Sequence, residues 1–193
     1  GTGKELLARI IHYSSNKASC QFFPVNCSSI PDSLLESEIF GHKKGAFTGA
    51  SADKQGLFEV ALQGTIFLDE CADMSPSMQK TLLRVLEEKK IRRVGETMLR
   101  DIDVRIIFAT NKDLKELVLQ KKFREDLWDR INTFTLQLPP LRQRKDDIHL
   151  LVNYFIKELK KPGSNITIIP EALKLLTEYK WPGNIRELKN EIK

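Results

Sequence analysis

Gly64-Thr65-Ile66-Phe67-Leu68-Asp69-Glu70 is an apolar run that ends abruptly in two adjacent acids. Thr65 to Leu68 has the character of a strand buried on both faces, as in a parallel sheet. Two carboxylates at the carboxyl end of such a strand stand where open α/β sheets bind ligands. Buried acids are costly unless a cation or another partner compensates them. The pair therefore points to a hydrated magnesium ion at Asp69 and a water-activating acid at Glu70, a Walker B arrangement. A strand that simply ends in solvated acids gives the same local pattern, so the decision lies in the surrounding chain.

Around this stretch the spacing predicts alternating strands and helices. Leu6, Leu7, Ile10 and Ile11 recur at helical spacing directly after the opening glycines. Phe22 to Val25 is a short strand, with Pro24 implying an edge or a bulge. Asp32 to Phe40 reads as a helix with Leu34, Leu35 and Ile39 on its apolar side. Met78, Leu82, Val85 and Leu86 mark another helix. Val104 to Ala109 is a second buried strand, ending at Thr110-Asn111, and Phe134, Leu136 and Leu138 alternate as in a half-buried strand. This order argues a mainly parallel α/β sheet.

Pro139-Pro140-Leu141-Arg142 breaks the rhythm like a hinge, and the chain becomes helical beyond it. An α/β unit over 1–139 and a helical unit over 140–193 are expected. Ile148, Leu151, Val152, Phe155, Ile156 and Leu159 form one helix stripe. Lys161-Pro162-Gly163-Ser164 ends that helix in a turn, Pro170 opens the next, and Trp181-Pro182-Gly183 turns into a last helix. Asn184 and Glu187 make a capping-box pattern at its start. Both ends of the chain read as cut from something longer.

With 193 residues, 41% hydrophobic and 30% charged, the chain suits one sizeable core and a small second lobe. No apolar run approaches the ~20 residues of a membrane helix, and no secretory signal opens the chain. Cys20, Cys27 and Cys71 are odd in number and lack CxxC spacing, which fits reduced thiols in a cytoplasmic protein. A net charge of +5 allows a polyanionic partner without requiring one. The sequence offers no zinc-ligand set, RRM-type motif or evident helix-turn-helix.

The opening Gly1-Thr2-Gly3-Lys4-Glu5 is half of a phosphate-binding loop. Glycines let backbone amides curl round phosphates at a helix N-terminus, and the lysine meets the outer phosphates. Glu5 replaces the usual Ser or Thr on magnesium, and an ordinary turn explains the fragment equally well. Asn111 could orient a water or sense a phosphate; it could also simply start a turn. On a continuous helix Arg124 and Arg130, six positions apart, would diverge by roughly 120° and serve different oxygens or different subunits, or else make surface ion pairs. Arg186 falls in a first helical turn, where the dipole disfavours a cation unless an anion binds there too. Gly45-Ala46-Phe47-Thr48-Gly49-Ala50 can offer little core. It is either a flexible loop with an aromatic tip for a partner or a tight turn that tucks Phe47 inside.

That hexapeptide, GAFTGA, resembles the signature of the AAA+ domain of sigma-54-dependent transcriptional activators, the bacterial enhancer-binding proteins. The likeness runs in order and spacing from GTGKE through GHKKGAFTGA, GTIFLDE, LLRVLEE, RVGE, ATNKDL, FREDLWDRIN and LPPLRQRKDDI to WPGNIRELKN. It implies an AAA+ P-loop NTPase fold, with a parallel-sheet subdomain followed by a helical lid and ATP bound between them. Lys4 resembles the Walker A lysine, and Glu5 stands where this family commonly has Glu. Asp69 and Glu70 resemble the magnesium-associated and catalytic acids. Asn26 resembles the residue that pairs with the catalytic acid and relays nucleotide state. Asn111 matches the first sensor, Arg124 and Arg130 the arginines supplied in trans, and Arg186 the second sensor. Phe47 and Thr48 match the loop tip that engages the sigma factor.

The resemblance further implies ATP hydrolysis with magnesium, a ring, usually a hexamer, and remodelling of the sigma-54 RNA polymerase closed complex. Enhancer DNA recognition would fall to a further C-terminal domain, and signal sensing, as in two-component response regulators, to an N-terminal one. The chain departs from the pattern in its half Walker A, in Glu96 where RVGG is common, and in Trp128 and Asp129 between the two arginines. Two rival readings are an AAA+ ATPase acting on another protein client and a regulatory module without turnover. Intact GAFTGA argues against the first, and the retained Asp69, Glu70, Asn111, Arg124 and Arg130 against the second.

Overall fold

The computed structural model describes residues 1–159 and 167–193, the side chain of Ser33 apart. The turn expected at Lys161 to Ser164 lies outside the described residues. Along the chain run α1 (Lys4–Tyr13), β1 (Phe22–Asn26), α2 (Asp32–Phe40), β2 (Gly41–His42), β3 (Lys54–Gln55), α3 (Leu57–Val60) and β4 (Thr65–Asp69). Then come α4 (Pro76–Glu88), β5 (Lys90–Ile91), β6 (Arg100–Asp101), β7 (Arg105–Phe108), α5 (Leu114–Leu119) and α6 (Glu125–Ile131). Last are α7 (Asp146–Leu159), α8 (Pro170–Glu178) and α9 (Asn184–Ile192). They form two compact units, Glu5–Thr135 and Leu136–Lys193 with Gly1–Lys4.

In the first unit a parallel sheet has the order β1-β4-β7. The central strand is the one with the apolar run: Thr65, Ile66, Phe67 and Leu68 are each buried. Pro24 lies on β1, an edge strand, where its missing N–H costs no ladder bond. Behind the sheet, Leu35, Ile39 and Phe40 of α2 meet Phe58 of α3 and the buried face of α4, with Phe40 and Phe58 stacked at 5.6 Å. Truncating a ring so enclosed costs roughly 3–5 kcal/mol. α4 starts on Ser75, whose side chain accepts the Met78 N–H, with Pro76 in its first turn, and ends on Lys89 in the left-handed region.

α1 is anchored by a buried histidine. His12 Nε2 donates to the Cys20 carbonyl at 3.1 Å, which leaves Nδ1 to accept from the Thr65 hydroxyl at 2.8 Å. This bond, with buried Ala8, faces the helix inward, so Leu6 and Ile10 stay exposed. Leu34 of α2 is exposed as well.

The half-buried strand expected at Phe134, Leu136 and Leu138 does not form. Alternation suits a strand only where a neighbour accepts its backbone. This run pairs with none among the described residues, and Phe134 is 81% exposed. The continuous helix considered for Arg124 and Arg130 begins only at Glu125; Arg124 is extended, with φ −76° and ψ 134°. The angular argument from a continuous helix therefore does not apply to Arg124 and Arg130.

The second unit packs α7, α8 and α9 round Leu141, Ile148, Val152, Phe155, Trp181 and Leu188. Trp181 keeps its indole N–H satisfied inside by donating to the Leu176 carbonyl at 2.7 Å. The capping box is only half made. Glu187 reaches back to the N–H of Gly183 at 2.8 Å, whereas Asn184, at φ 57°, turns its Oδ1 to the Leu141 N–H at 2.8 Å.

Candidate functional site

In the first unit the three parallel strands end at one level. Asn26 of β1 is in register with Asp69 of β4, and the Ala109 N–H, just past β7, donates to the Leu68 carbonyl at 2.9 Å. Side chains that follow these ends gather along the carboxyl edge of the sheet. Glu70 sits there in the left-handed region at φ 53°, a conformation that costs a non-glycine residue on the order of 1–3 kcal/mol. Four bonds hold it. Its N–H donates to Asp69 Oδ1 at 3.0 Å, its carbonyl accepts from Asp73 N–H at 3.0 Å, and Cys71 N–H donates to the Ala109 carbonyl at 3.0 Å. Its Oε2 accepts from the backbone N–H of Asn111 at 3.2 Å. The first-sensor candidate thus meets the catalytic candidate through its main chain. Asn26 turns its Oδ1 to Ser28, accepting from N–H at 3.0 Å and Oγ at 2.8 Å.

Among the described residues, no group of three or more His, Cys, Asp or Glu could hold a metal on protein ligands alone. Magnesium needs less: one or two carboxylates with phosphate oxygens and water suffice. The local field suits a cation. The Cys27 thiol, whose N–H donates to the Asp69 carbonyl, is pushed up to about 12 by burial first and then by Asp69, Asp73 and Glu70. Asp69 and Glu70 supply the carboxylates that such an ion would need.

In the second unit the glycine-rich fragment meets the first turn of α9. The Gly1 carbonyl accepts from Ile185 N–H at 3.1 Å, and Gly3, at φ 101°, lies against the Ile185 side chain. A Cβ on Gly1 would fall 2.5 Å from the Gly183 carbonyl, so only glycine permits this approach. Arg186 is exposed in that same helical turn. Arg144 donates from Nη2 to the Thr2 carbonyl at 2.7 Å, a link that sequence reasoning missed. Glu5 is turned along its own helix to Arg9, at 2.7 Å.

Arg124 holds Asp126 through two bonds of 3.0 and 2.5 Å, which raise the guanidinium's pKa and lower the carboxyl's. Its backbone N–H donates to Oε1 of Gln79 at 2.9 Å. Gln79 is buried on α4 and also donates to the carbonyls of Met74 and Lys122, so it fixes the entry to α6. The signal for it was available: a glutamine three and four residues before Leu82 and Leu83 lies on the helix's buried face. Arg130 donates to the Leu86 carbonyl at 3.2 Å.

Of the two readings of GAFTGA, the tight turn describes the geometry. Gly45 N–H donates to the Ala50 carbonyl at 2.9 Å, and Ala50 N–H to the Phe47 carbonyl at 3.0 Å. Phe47 is half-buried, edge-on to His42 at 4.9 Å, while Thr48 is exposed. His42 is in turn held by the Ser37 hydroxyl at 2.7 Å from Nδ1.

Comparison with known proteins accords with this arrangement. Residues 1–137 match the family described as Sigma-54 interaction domain, and residues 142–193 match the AAA+ ATPase lid domain. The regulatory protein AtoC of Escherichia coli K12 is 52% identical over 194 residues, covering 100% of this chain and 42% of AtoC. The Nif-specific regulatory protein of Azospirillum brasilense is 52% identical over 191 residues, covering 98% of this chain and 31% of its own. The chain thus spans less than half the length of these relatives. A crystal structure of NtrX from Brucella abortus in complex with ATP superimposes with a TM-score of 0.90 at 38% identity, over 100% of this chain and 42% of NtrX. The chain belongs to the sigma-54 interaction domain family and carries the AAA+ lid domain that follows it.

Proposed function

We propose that this chain is the ATP-hydrolysing motor of a sigma-54-dependent transcription activator. The observation that carries the reading is Glu70, held in a left-handed conformation beside Asp69 with its carboxylate fixed by Asn111 N–H. In this reading Glu70 orients and activates the attacking water. Gly1, Thr2, Gly3 and Lys4 receive the phosphates, and Arg186 takes an anionic oxygen at the start of α9. Asp69 would hold magnesium through water. That ion supplies charge neutralisation on the phosphate oxygens.

Arg124 and Arg130 would act on the ATP of a neighbouring protomer, stabilising charge that develops during phosphoryl transfer. Arg124 has to leave Asp126 to do so. Asn26 leaves Ser28 for Glu70 as nucleotide state changes, and the shift reaches the Phe47 loop. Phe47 and Thr48 then engage sigma-54 and remodel the closed polymerase complex. A ring of protomers, hexameric in this reading, completes the machine, and enhancer DNA is bound by a further domain of the whole protein.

The test uses the full-length protein. ATP turnover should rise with assembly, and sigma-54 should be retained in the presence of ADP with aluminium fluoride, a mimic of the transferring phosphoryl. No turnover would remove the motor; turnover without sigma-54 retention would remove the client.

A further inference from the structure

Glu96, where RVGE departs from the common RVGG, has no role in the proposed function, and it stands at the centre of an alternating row of charges. Asp53 holds Lys43 at 2.6 Å, and Lys43 lies 3.8 Å from Glu96. Glu96 clamps Arg100 with both carboxylate oxygens. Arg100 lies 3.6 Å from Glu59, which Arg93 grips at 2.6 and 2.7 Å. The row therefore runs Asp53, Lys43, Glu96, Arg100, Glu59, Arg93, with three charges of each sign. Lys43 and Asp53 close the base of the GAFTGA turn, since Asp53 also accepts from Lys44 N–H at 2.8 Å. Arg93, Glu96 and Arg100 belong to the β5–β6 hairpin.

Two backbone hydrogen bonds and one close approach, none of them ionic, join the same segments. Lys43 N–H donates to the Val94 carbonyl at 3.0 Å, and Val94 N–H to the Gly41 carbonyl at 2.9 Å. Gly95, at φ 78°, lets the hairpin backbone approach so closely that a Cβ there would lie 2.8 Å from the Ala46 Cβ. Only the side-chain row can be broken without parting the backbones, and its longest step is Lys43 to Glu96.

We infer that Glu96 is a positioning residue, a carboxylate latch that ties the hairpin to the base of the GAFTGA turn and keeps Phe47 folded against His42. The inference rests on the motor reading for its consequence, but its geometry does not depend on it. Hydrogen bonding from Arg100 holds the Glu96 carboxyl below its ordinary range, with further help from Arg100, Lys43 and Arg93 as charges, so the latch is ionised at neutral pH. Without it Lys43 keeps Asp53 and Arg100 keeps Glu59, and the two halves of the row are left with the longer-range attraction between Asp53 and Arg93. The freed turn then presents Phe47 without waiting for nucleotide.

The test compares full-length wild type, Glu96→Gln and Glu96→Asp by amide hydrogen exchange over residues 43–53. ATP turnover and sigma-54 retention in ADP are read alongside. Glu96→Gln should exchange roughly two- to fivefold faster, as expected for one partly exposed ion pair, and retain more sigma-54 in ADP at normal turnover. Glu96→Asp should restore slower exchange, and high salt should bring wild type towards Glu96→Gln. Unchanged exchange in Glu96→Gln overturns the latch, as does retention that stays strictly dependent on the phosphoryl mimic. If wild type neither turns over ATP nor holds sigma-54, the motor reading fails instead, and the exchange comparison still decides the latch.

Discussion

The backbone N–H of Asn111 lies 3.2 Å from Oε2 of Glu70, which joins the end of β7 to the acid after β4. A main-chain donor cannot swing away as a side chain can, so one carboxylate oxygen is held in place. Glu70→Gln should keep this bond, because an amide carbonyl accepts from the same N–H. The variant should therefore fold and bind ATP as wild type does, yet lose the base, with kcat falling about 100-fold or more. Binding measured with a fluorescent ATP analogue, alongside steady-state turnover, checks both halves. Normal turnover would take Glu70 out of the chemistry.

Arg144 reaches the Thr2 carbonyl at 2.7 Å and thereby steadies the glycine-rich fragment from the turn before α7. Its Nε is buried without a hydrogen-bond partner among the described residues, so Nη2 carries the link to Thr2. Arg144→Met should weaken nucleotide binding by about tenfold, the worth of one charge-assisted hydrogen bond, with little change in kcat. Arg144→Lys keeps a donor and should recover most of the affinity. Equal losses in both variants would mean that packing matters there and the bond does not.

Phe47 rests edge-on against His42, which Ser37 holds from the other side. The ring is half-buried, so Phe47→Ala should cost the fold only ~1 kcal/mol. ATP turnover should persist while promoter opening is lost. A variant that still opens promoters in a purified transcription assay would detach the aromatic tip from its role.

The elements with continuous local signals were legible. β4 was readable because three apolar residues precede two acids, and α2 because Pro31 and Gly41 flank it. The gathering of Asp69, Glu70 and Asn111 follows from parallel strands ending together, which alternation of elements already implied. What sequence could not carry was partner choice. Phe134 and Leu136 alternate correctly, but a strand needs a neighbour and theirs is lacking among the described residues. Arg124 looked helical because apolar Phe123, Leu127 and Ile131 recur every four residues, yet Gln79, 45 residues earlier, takes its N–H and sets the helix start after it. Arg144 and Thr2 are 142 positions apart, with no pattern in either segment to announce the bond.

Part of the acid response of the first unit should be traceable to Glu59, beside Asp53, Glu96 and Asp126, whose carboxyls are lowered too. The Glu59 carboxyl is held below the ordinary 4.5 by hydrogen bonding from Arg93 first, then by the Arg93 and Arg100 charges, against the opposing effect of burial. A carboxyl depressed in the folded state stabilises the fold while ionised. The contribution is complete above 4.5 and disappears as pH falls through the lower folded value. The arginines stay charged throughout, so nothing offsets the loss on the acid side. At pH 7 Glu59→Gln should cost about 2 kcal/mol in urea unfolding, because two charge-assisted bonds are weakened and Arg93 is left partly enclosed. The gap between wild type and variant should narrow steadily below pH 4.5 and close in stronger acid. A gap that stays constant with pH would show that Glu59 contributes by shape alone.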